Sequence, residues 1–186
     1  MSLRTFLEWD ARASERIRVA EKPGIVRSIA VFFAHSGDSW FWGIAMILLW
    51  QSGNSFWKEW AVVQFVGISV LAALVMGIKF IVRRRRPEGK WGSVYRNTDP
   101  HSFPSGHAAR SFLIATLAAG LGPIELAILL WIWAPLVALA RVAMGVHYAS
   151  DIIAGAALGA FFALATLRLY EPLLLWASHL IGVALW

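Results

Sequence analysis

From Trp57 to Val82 the chain runs through 26 residues whose only charges are Lys58, Glu59 and Lys79, and it then meets Arg83-Arg84-Arg85-Arg86-Pro87. A helix that crosses the hydrocarbon of a bilayer needs roughly 20 apolar residues. A stretch of this length closed by a basic stop reads as such a span anchored to headgroups. Shorter or comparable apolar stretches occupy Ser39 to Gln51, His107 to Leu121, Ile124 to about Gly145, and Tyr148 to Tyr170. The last is crowded with Ala149, Ala154, Gly155, Ala156, Ala157, Gly159 and Ala160, small residues that allow helices to approach closely. Pro172 to Trp186 is a short apolar tail that reads as a sixth half-span or an interfacial helix. Ser2 to Lys22 mixes Leu3, Phe6, Leu7, Trp9, Ile17 and Val19 with five basic residues, the pattern of an amphipathic helix lying on a membrane. Ile25 to Ala34, interrupted by Arg27, reads as a further interfacial or re-entrant piece. The expected fold is all-α: a polytopic membrane bundle of five to six transmembrane helices, with residues 1–37 as an N-terminal interfacial segment.

Composition agrees. Hydrophobic residues make up 59% of the 186, mean hydropathy is +0.62, and eleven residues are Trp, which favours the boundary between hydrocarbon and water. The length suits a single domain, residues 1–186, with no room for a soluble module. With no cysteine, thiolate metal sites, disulfides and cysteine nucleophiles are excluded. Net charge is +6, but the basic residues flank apolar segments, so anionic lipid headgroups are the expected partner and nucleic acid is not. Charges within Met1 to Asp10 come too early for a secretory signal peptide.

If four spans lie between Ser39 and Gly145, the N-terminal arm, the loop from Arg83 to Phe103 and the junction from Val146 to Ser150 fall on one face. The unusual polar residues then share a surface although 72 positions separate Lys79 from Asp151. Three clusters supply them. Lys79 sits inside its apolar run, and Arg86, seven residues on, lies on the same side if the helix continues. Arg83, Arg84 and Arg85 read as the headgroup anchor. Pro104-Ser105-Gly106-His107 opens an apolar run: Pro104 favours a helix start, Ser105 can cap it, and Gly106 lets an anion approach backbone N–H groups. Finally, His147 and Asp151 are four apart, adjacent on a helix face, so the carboxylate can hold one imidazole nitrogen and leave the other basic. Arg141 closes a long apolar run, where an unpaired guanidinium is costly. A lone Arg141–Asp151 ion pair would leave His147 idle.

Three permanent cations, neutral donors from the Ser105 notch and two histidines, one backed by a carboxylate, fit phosphoryl transfer. Zinc is the competing use of His plus Asp; three converging cations would repel it, so no metal and no cofactor is expected. Of these two histidines only His147 has a carboxylate at helical spacing, which favours it as the nucleophile or base and leaves His107 as the acid.

These residues resemble the type 2 phosphatidic acid phosphatase family, the lipid phosphate phosphatases. Its motifs K-x6-R-P, P-S-G-H and S-R-x5-H-x3-D read here as Lys79…Arg86-Pro87, Pro104-Ser105-Gly106-His107 and Arg141…His147…Asp151, in order over residues 79–151. Ala140 stands where the family usually has Ser, which removes a possible support for Arg141. The resemblance implies a helical bundle and metal-independent turnover. His147 would attack phosphorus and form a phosphohistidine, with Asp151 orienting it. His107 would protonate the leaving group and then activate water, while Lys79, Arg86, Ser105, Gly106 and Arg141 hold the phosphate.

The expected activity is hydrolysis of a lipid phosphate monoester or diphosphate of the polyprenyl diphosphate, phosphatidylglycerophosphate or phosphatidate type. The alternatives are a lipid phosphotransferase and a non-catalytic protein that binds or moves lipid phosphate; the related vanadate-dependent haloperoxidases are soluble. Lys90, Trp91, Tyr95 and Arg96 are candidates for headgroup contact or for an aromatic-anchored interfacial loop. His35 and His101 read as ordinary loop histidines, His179 lies in the tail without partners, and Asp38 and Asp99 have no assigned role. The expected location is the plasma membrane. Basic residues concentrate on the site face, which points to the cytoplasm; the resemblance implies the opposite side, and the expectation follows the resemblance.

Overall fold

The computed structural model describes residues 2–89 and 91–181, with Val94 and residues 173–181 as backbone only. The described residues form eight helices: α1 (Leu3–Arg16), α2 (Ile25–Ser36), α3 (Ser39–Ser52), α4 (Ser55–Val82), α5 (Ser93–Thr98), α6 (Gly106–Leu121), α7 (Ile124–Ala143) and α8 (Ala149–Ile181). Three of them are long and apolar enough to cross a membrane: α4, α7 and the Ala149–Pro172 part of α8. The chain is therefore an all-helical membrane protein. α3 and α6, at 14 and 16 residues, fall short of the ~20 that a perpendicular crossing requires.

Local chemistry sets the boundaries. Ser2, Asn54 and Ser105 each cap a helix, accepting from the backbone N–H of Thr5, Trp57 and Ala108 respectively. α4 stops at Val82, where Arg83 takes a left-handed conformation (φ 52°). The helix therefore does not continue to Arg86. α8 runs unbroken through Pro172 to Ile181, so the stretch to Tyr170 and the start of the tail are one helix; residues 182–186 lie outside the described residues.

α6 is the central element. Ala108, Ala109, Leu113, Ile114, Ala115, Leu117 and Ala118 are all fully buried, surrounded by α4, α7 and α8. The contact with α8 is the closest. A methyl group on Gly155 would come 2.5 Å from the Ser105 carbonyl, and one on Gly159 would collide with the Ala109 backbone. The small residues of α8 thus let two backbones touch and hold the start of α6 against the start of α8. On the outside, Ile81, Ile153 and Phe161 are largely exposed, as expected of side chains that meet lipid rather than water.

α1 does not stand apart from this bundle. Asp10 and Ser14 are buried, and they receive the free N–H groups at the head of α8: Ser150 N donates to Asp10 Oδ1 (3.0 Å) and Ala149 N to Ser14 Oγ (2.9 Å). α1 is docked on the head of α8 through Asp10 and Ser14.

Candidate active site

Lys79 lies in the last turn of α4 and is 4% exposed. After the turn at Arg83 the chain runs extended, with Arg85 bridging His101, and returns Arg86 to the same point. Lys79 Nζ and Arg86 Nη2 (2.7 Å) both donate to Asp99 Oδ2, and Arg86 Nε donates to the Asp99 carbonyl at 2.6 Å. Lys79 and Arg86 therefore converge through a loop and a shared carboxylate, not along a continued helix. Burial pushes the Arg86 guanidinium down from its ordinary value, against Asp99, which pushes it up. Burial raises the Asp99 carboxyl, but the bond from Lys79 and the charges of Lys79 and Arg86 prevail and hold it below the usual range.

The notch sits directly above α6. Ser105 N donates to the Asp151 carbonyl (3.0 Å), tying this turn to α8. His107 Nε2 lies 2.8 Å from Asp38 Oδ1, and Asp38 Oδ2 lies 3.1 Å from His35 Nδ1. Arg110 fixes the α2–α3 junction that carries Asp38: its Nε donates to the Gly37 carbonyl (2.9 Å), Nη2 reaches the same oxygen, and Nη1 donates to Ser39 Oγ (2.5 Å). Burial works to raise the Asp38 carboxyl, yet the hydrogen bonds from His107 and His35 hold it far below the carboxylate range.

His147 stands between α7 and α8, 2% exposed. Its Nδ1 faces Asp151 Oδ2 at 3.5 Å and its Nε2 faces Arg86 Nη1 at 3.0 Å. Burial pushes its pKa down to about 3, although Asp151 opposes the shift, so the imidazole is neutral at physiological pH. Asp151 has no exposure and accepts from Tyr148 N (2.9 Å) and Arg84 Nη1 (2.8 Å). Arg141 is also fully buried. It makes no pair with Asp151; Nη1 reaches the Ala34 carbonyl (3.2 Å) and Tyr95 Oη (3.4 Å), and its guanidinium stacks on the Tyr95 ring at 4.5 Å. Nε and Nη2, one edge of the fork, have no partner among the described residues. Ala140 packs into a small apolar cluster with Ala30, Ala34 and Met144 and offers that edge nothing polar.

Lys79, Arg86, Tyr95, Asp99, Gly106, His107, Arg110, Arg141 and His147 wall one end of a cavity of about 280 Å³; Ile68, Leu71, Ala72, Val75 and Met76 wall the other. Every wall residue of the second group lies on α4, inside a membrane span. The cavity is a cationic cup with an apolar slot.

Arg84 contradicts its reading as a headgroup anchor. It donates to Asp151, to Ser150 Oγ (2.7 Å) and to Asp10 Oδ2 (2.8 Å), and lies 4.0 Å over the Tyr148 ring, because the turn at Arg83 swings it inward. Arg83 and Arg85 remain exposed. In the 88–103 loop, Tyr95 faces the cavity and Trp91 packs on Tyr95 and His35. Arg96 does not face it: its donors go to the carbonyls of Pro87, Gly89 and Trp91, where it staples the loop. Lys90 lies outside the described residues, as does the His179 side chain. His101 is a loop histidine edge-on to Phe80, but His35 belongs to the last turn of α2 and to the Asp38 group. Sequence reasoning missed Asp38, Asp99, Arg84 and Arg110. A carboxylate flanking each apolar segment was the available signal for the first two.

The family model described as the PAP2 superfamily matches residues 60–174, which include all three clusters. Decaprenylphosphoryl-5-phosphoribose phosphatase of Mycobacterium tuberculosis is 38% identical over 104 residues, 55% of this chain and 56% of that protein, so the match spans about half of the relative's length. Among solved structures, that of Aquifex aeolicus LpxE superposes with a TM-score of 0.68 at 25% identity, covering 84% of this chain and 93% of that one. The first transmembrane PAP2 type phosphatidylglycerolphosphate phosphatase from Bacillus subtilis shares the fold with a TM-score of 0.66 at 19% identity, over 90% and 87% of the two chains.

Proposed function

The chain belongs to the PAP2 superfamily, and from that premise we propose that it is a membrane lipid phosphatase that hydrolyses a phosphate ester or diphosphate carried on a lipid. One observation carries the proposal: Nε and Nη2 of buried Arg141 have no partner among the described residues, and Arg141 lines the cavity. That edge presents two parallel N–H donors, the pattern that grips two phosphate oxygens at once. An unsatisfied guanidinium edge in a buried site is costly unless a ligand completes it.

In the first step His147 Nε2 attacks phosphorus and the bond to the leaving oxygen breaks, giving a phosphohistidine. Neutral His147 has the lone pair this requires, and Asp151 faces the opposite nitrogen, where positive charge develops. His107 gives a proton to the leaving oxygen, then takes one from the water that attacks phosphorus in the second step. Lys79, Arg86, Arg141, Ser105 and the N–H groups of Gly106 and His107 hold the phosphoryl oxygens as charge builds. The cations leave a metal ion no electrostatic foothold, so turnover is metal-independent.

The apolar slot along α4 favours a substrate whose phosphate sits at the membrane surface while its chain lies among helices. Polyprenyl diphosphates, phosphorylated polyprenyl sugars such as the M. tuberculosis relative's substrate, phosphatidylglycerophosphate and phosphatidate all have this form. We assign residues 1–186 to one membrane-embedded unit with five to six crossings, α3 and α6 among them. We place it in the plasma membrane, with the site on the extracytoplasmic face.

Phosphate release by the purified protein from a panel of these lipids tests the reading. Release is expected, unchanged by EDTA and abolished in His147→Ala. Normal turnover by that variant, or no release from any lipid, overturns it.

A further inference from the structure

Asp38 is the N-cap residue of α3, yet its side chain makes no capping hydrogen bond. An aspartate at this position ordinarily accepts from the N–H groups of the first helical turn. Here both carboxylate oxygens are turned away from α3: Oδ1 to His107 Nε2 at 2.8 Å and Oδ2 to His35 Nδ1 at 3.1 Å. The junction cannot easily release them. Arg110 clamps the Gly37 carbonyl from α6, and a methyl group on Gly37 would meet Val137 Cγ1 at 2.7 Å and His107 Cδ2 at 3.4 Å.

We propose that Asp38 is the positioning residue of the acid His107, the counterpart of Asp151 for His147. The inference rests on the phosphatase reading and deepens it. Arg110 and Arg141 border the same cavity as His107. Beside two permanent cations, a protonated imidazole needs an anion in contact with it, and Asp38 supplies one. Because Asp38 occupies Nε2, the proton for the leaving group sits on Nδ1. As the phosphorus–oxygen bond breaks, that proton passes to the ester oxygen, and His107 is left neutral with Nε2–H still bound to Asp38. Water then returns a proton to Nδ1 as it attacks the phosphohistidine. His35, half exposed, holds the second oxygen and fixes the carboxylate plane.

The test compares two substrates in the same samples of intact protein: dodecyl phosphate, whose alkoxide cannot leave without a proton, and p-nitrophenyl phosphate, whose nitrophenolate can. Asp38→Asn keeps the side-chain shape and a competent N-cap. It is expected to slow dodecyl phosphate about 100-fold and p-nitrophenyl phosphate less than about tenfold, in line with the contribution of a general acid. The ratio of the two rates does not depend on how much protein is folded. His35→Gln, at a half-exposed position, is expected to move the ratio in the same direction by a smaller factor. Equal losses on both substrates in Asp38→Asn, with the leaving-group effect intact in His107→Ala, overturn the role of Asp38 alone. Equal losses in His107→Ala in single-turnover release of dodecanol and of nitrophenolate, the step that precedes attack by water, remove the acid role itself, and this inference with it.

Discussion

Arg84 Nη1 lies 2.8 Å from Oδ1 of Asp151, the carboxylate whose other oxygen faces His147. The same guanidinium bonds Asp10 on α1 through Nη2. One arginine thus joins α1 to the centre of the candidate site.

Removing it therefore acts at a distance. Arg84→Ala leaves a buried carboxylate short of its counter-charge and free to shift, and a misplacement of about 1 Å can cost about 100-fold in rate. Turnover is expected to fall by about that factor with substrate affinity little changed. Steady-state kinetics check the split; a loss confined to KM would show that Arg84 contacts substrate instead. Asp10→Asn is expected to produce a milder loss of the same kind.

Protonation of His147 links folding to pH. Its folded-state pKa is pushed down to about 3 from an ordinary 6.5, so between these values the unfolded chain binds a proton that the folded chain does not. Stability from this residue is complete above the ordinary value and declines as pH falls toward the lowered one, by about 1.4 kcal/mol per unit. Asp38 and Asp99, both held below the carboxylate range, add losses of the same sign at the acid end. Thermal unfolding in detergent is expected to show Tm falling steadily from pH 7 to pH 4. The fall should be shallower in His147→Gln.

The α6–α8 contact has no slack. Gly159→Ala pushes a methyl group into the Ala109 backbone, and overpacking of this kind costs about 1–3 kcal/mol. A lowered Tm in detergent is the expected result. Activity at low temperature should fall as well, because the same contact holds the notch at the head of α6 against Asp151.

The sequence displays what is local. Lys79, Ser105, His107, Arg141, His147 and Asp151 stand out because apolar periodicity makes any polar residue conspicuous, and His147 and Asp151 share a helical spacing. Asp38 and Arg84 do not stand out. Their partners are 69 and 67 positions away, and no periodicity records a meeting of that range. Arg84 is further hidden among four consecutive arginines, each of which headgroup anchoring explains equally well. The reversal at Arg83 separates them, and a left-handed residue that is not glycine leaves no mark in the sequence. The helices from α2 to α7 other than α5 are visible to within a few residues, because caps such as Ser105 and breaks such as Pro123 are written locally; α5 forms where a loop is expected, α1 ends at Arg16 short of Lys22, and α8 runs past Tyr170 to Ile181.

Lys79 and Arg86 already share an anion that belongs to the chain, Asp99. Under the proposed function, phosphate binding would be an exchange rather than an addition: the incoming oxygens would take over two cations from a carboxylate that stays tethered beside them. Part of the attraction is cancelled in advance, which limits how tightly any phosphate is held. After the proposed hydrolysis the same carboxylate would be the nearest competitor for Lys79 and Arg86, and its return would favour departure of the freed phosphate.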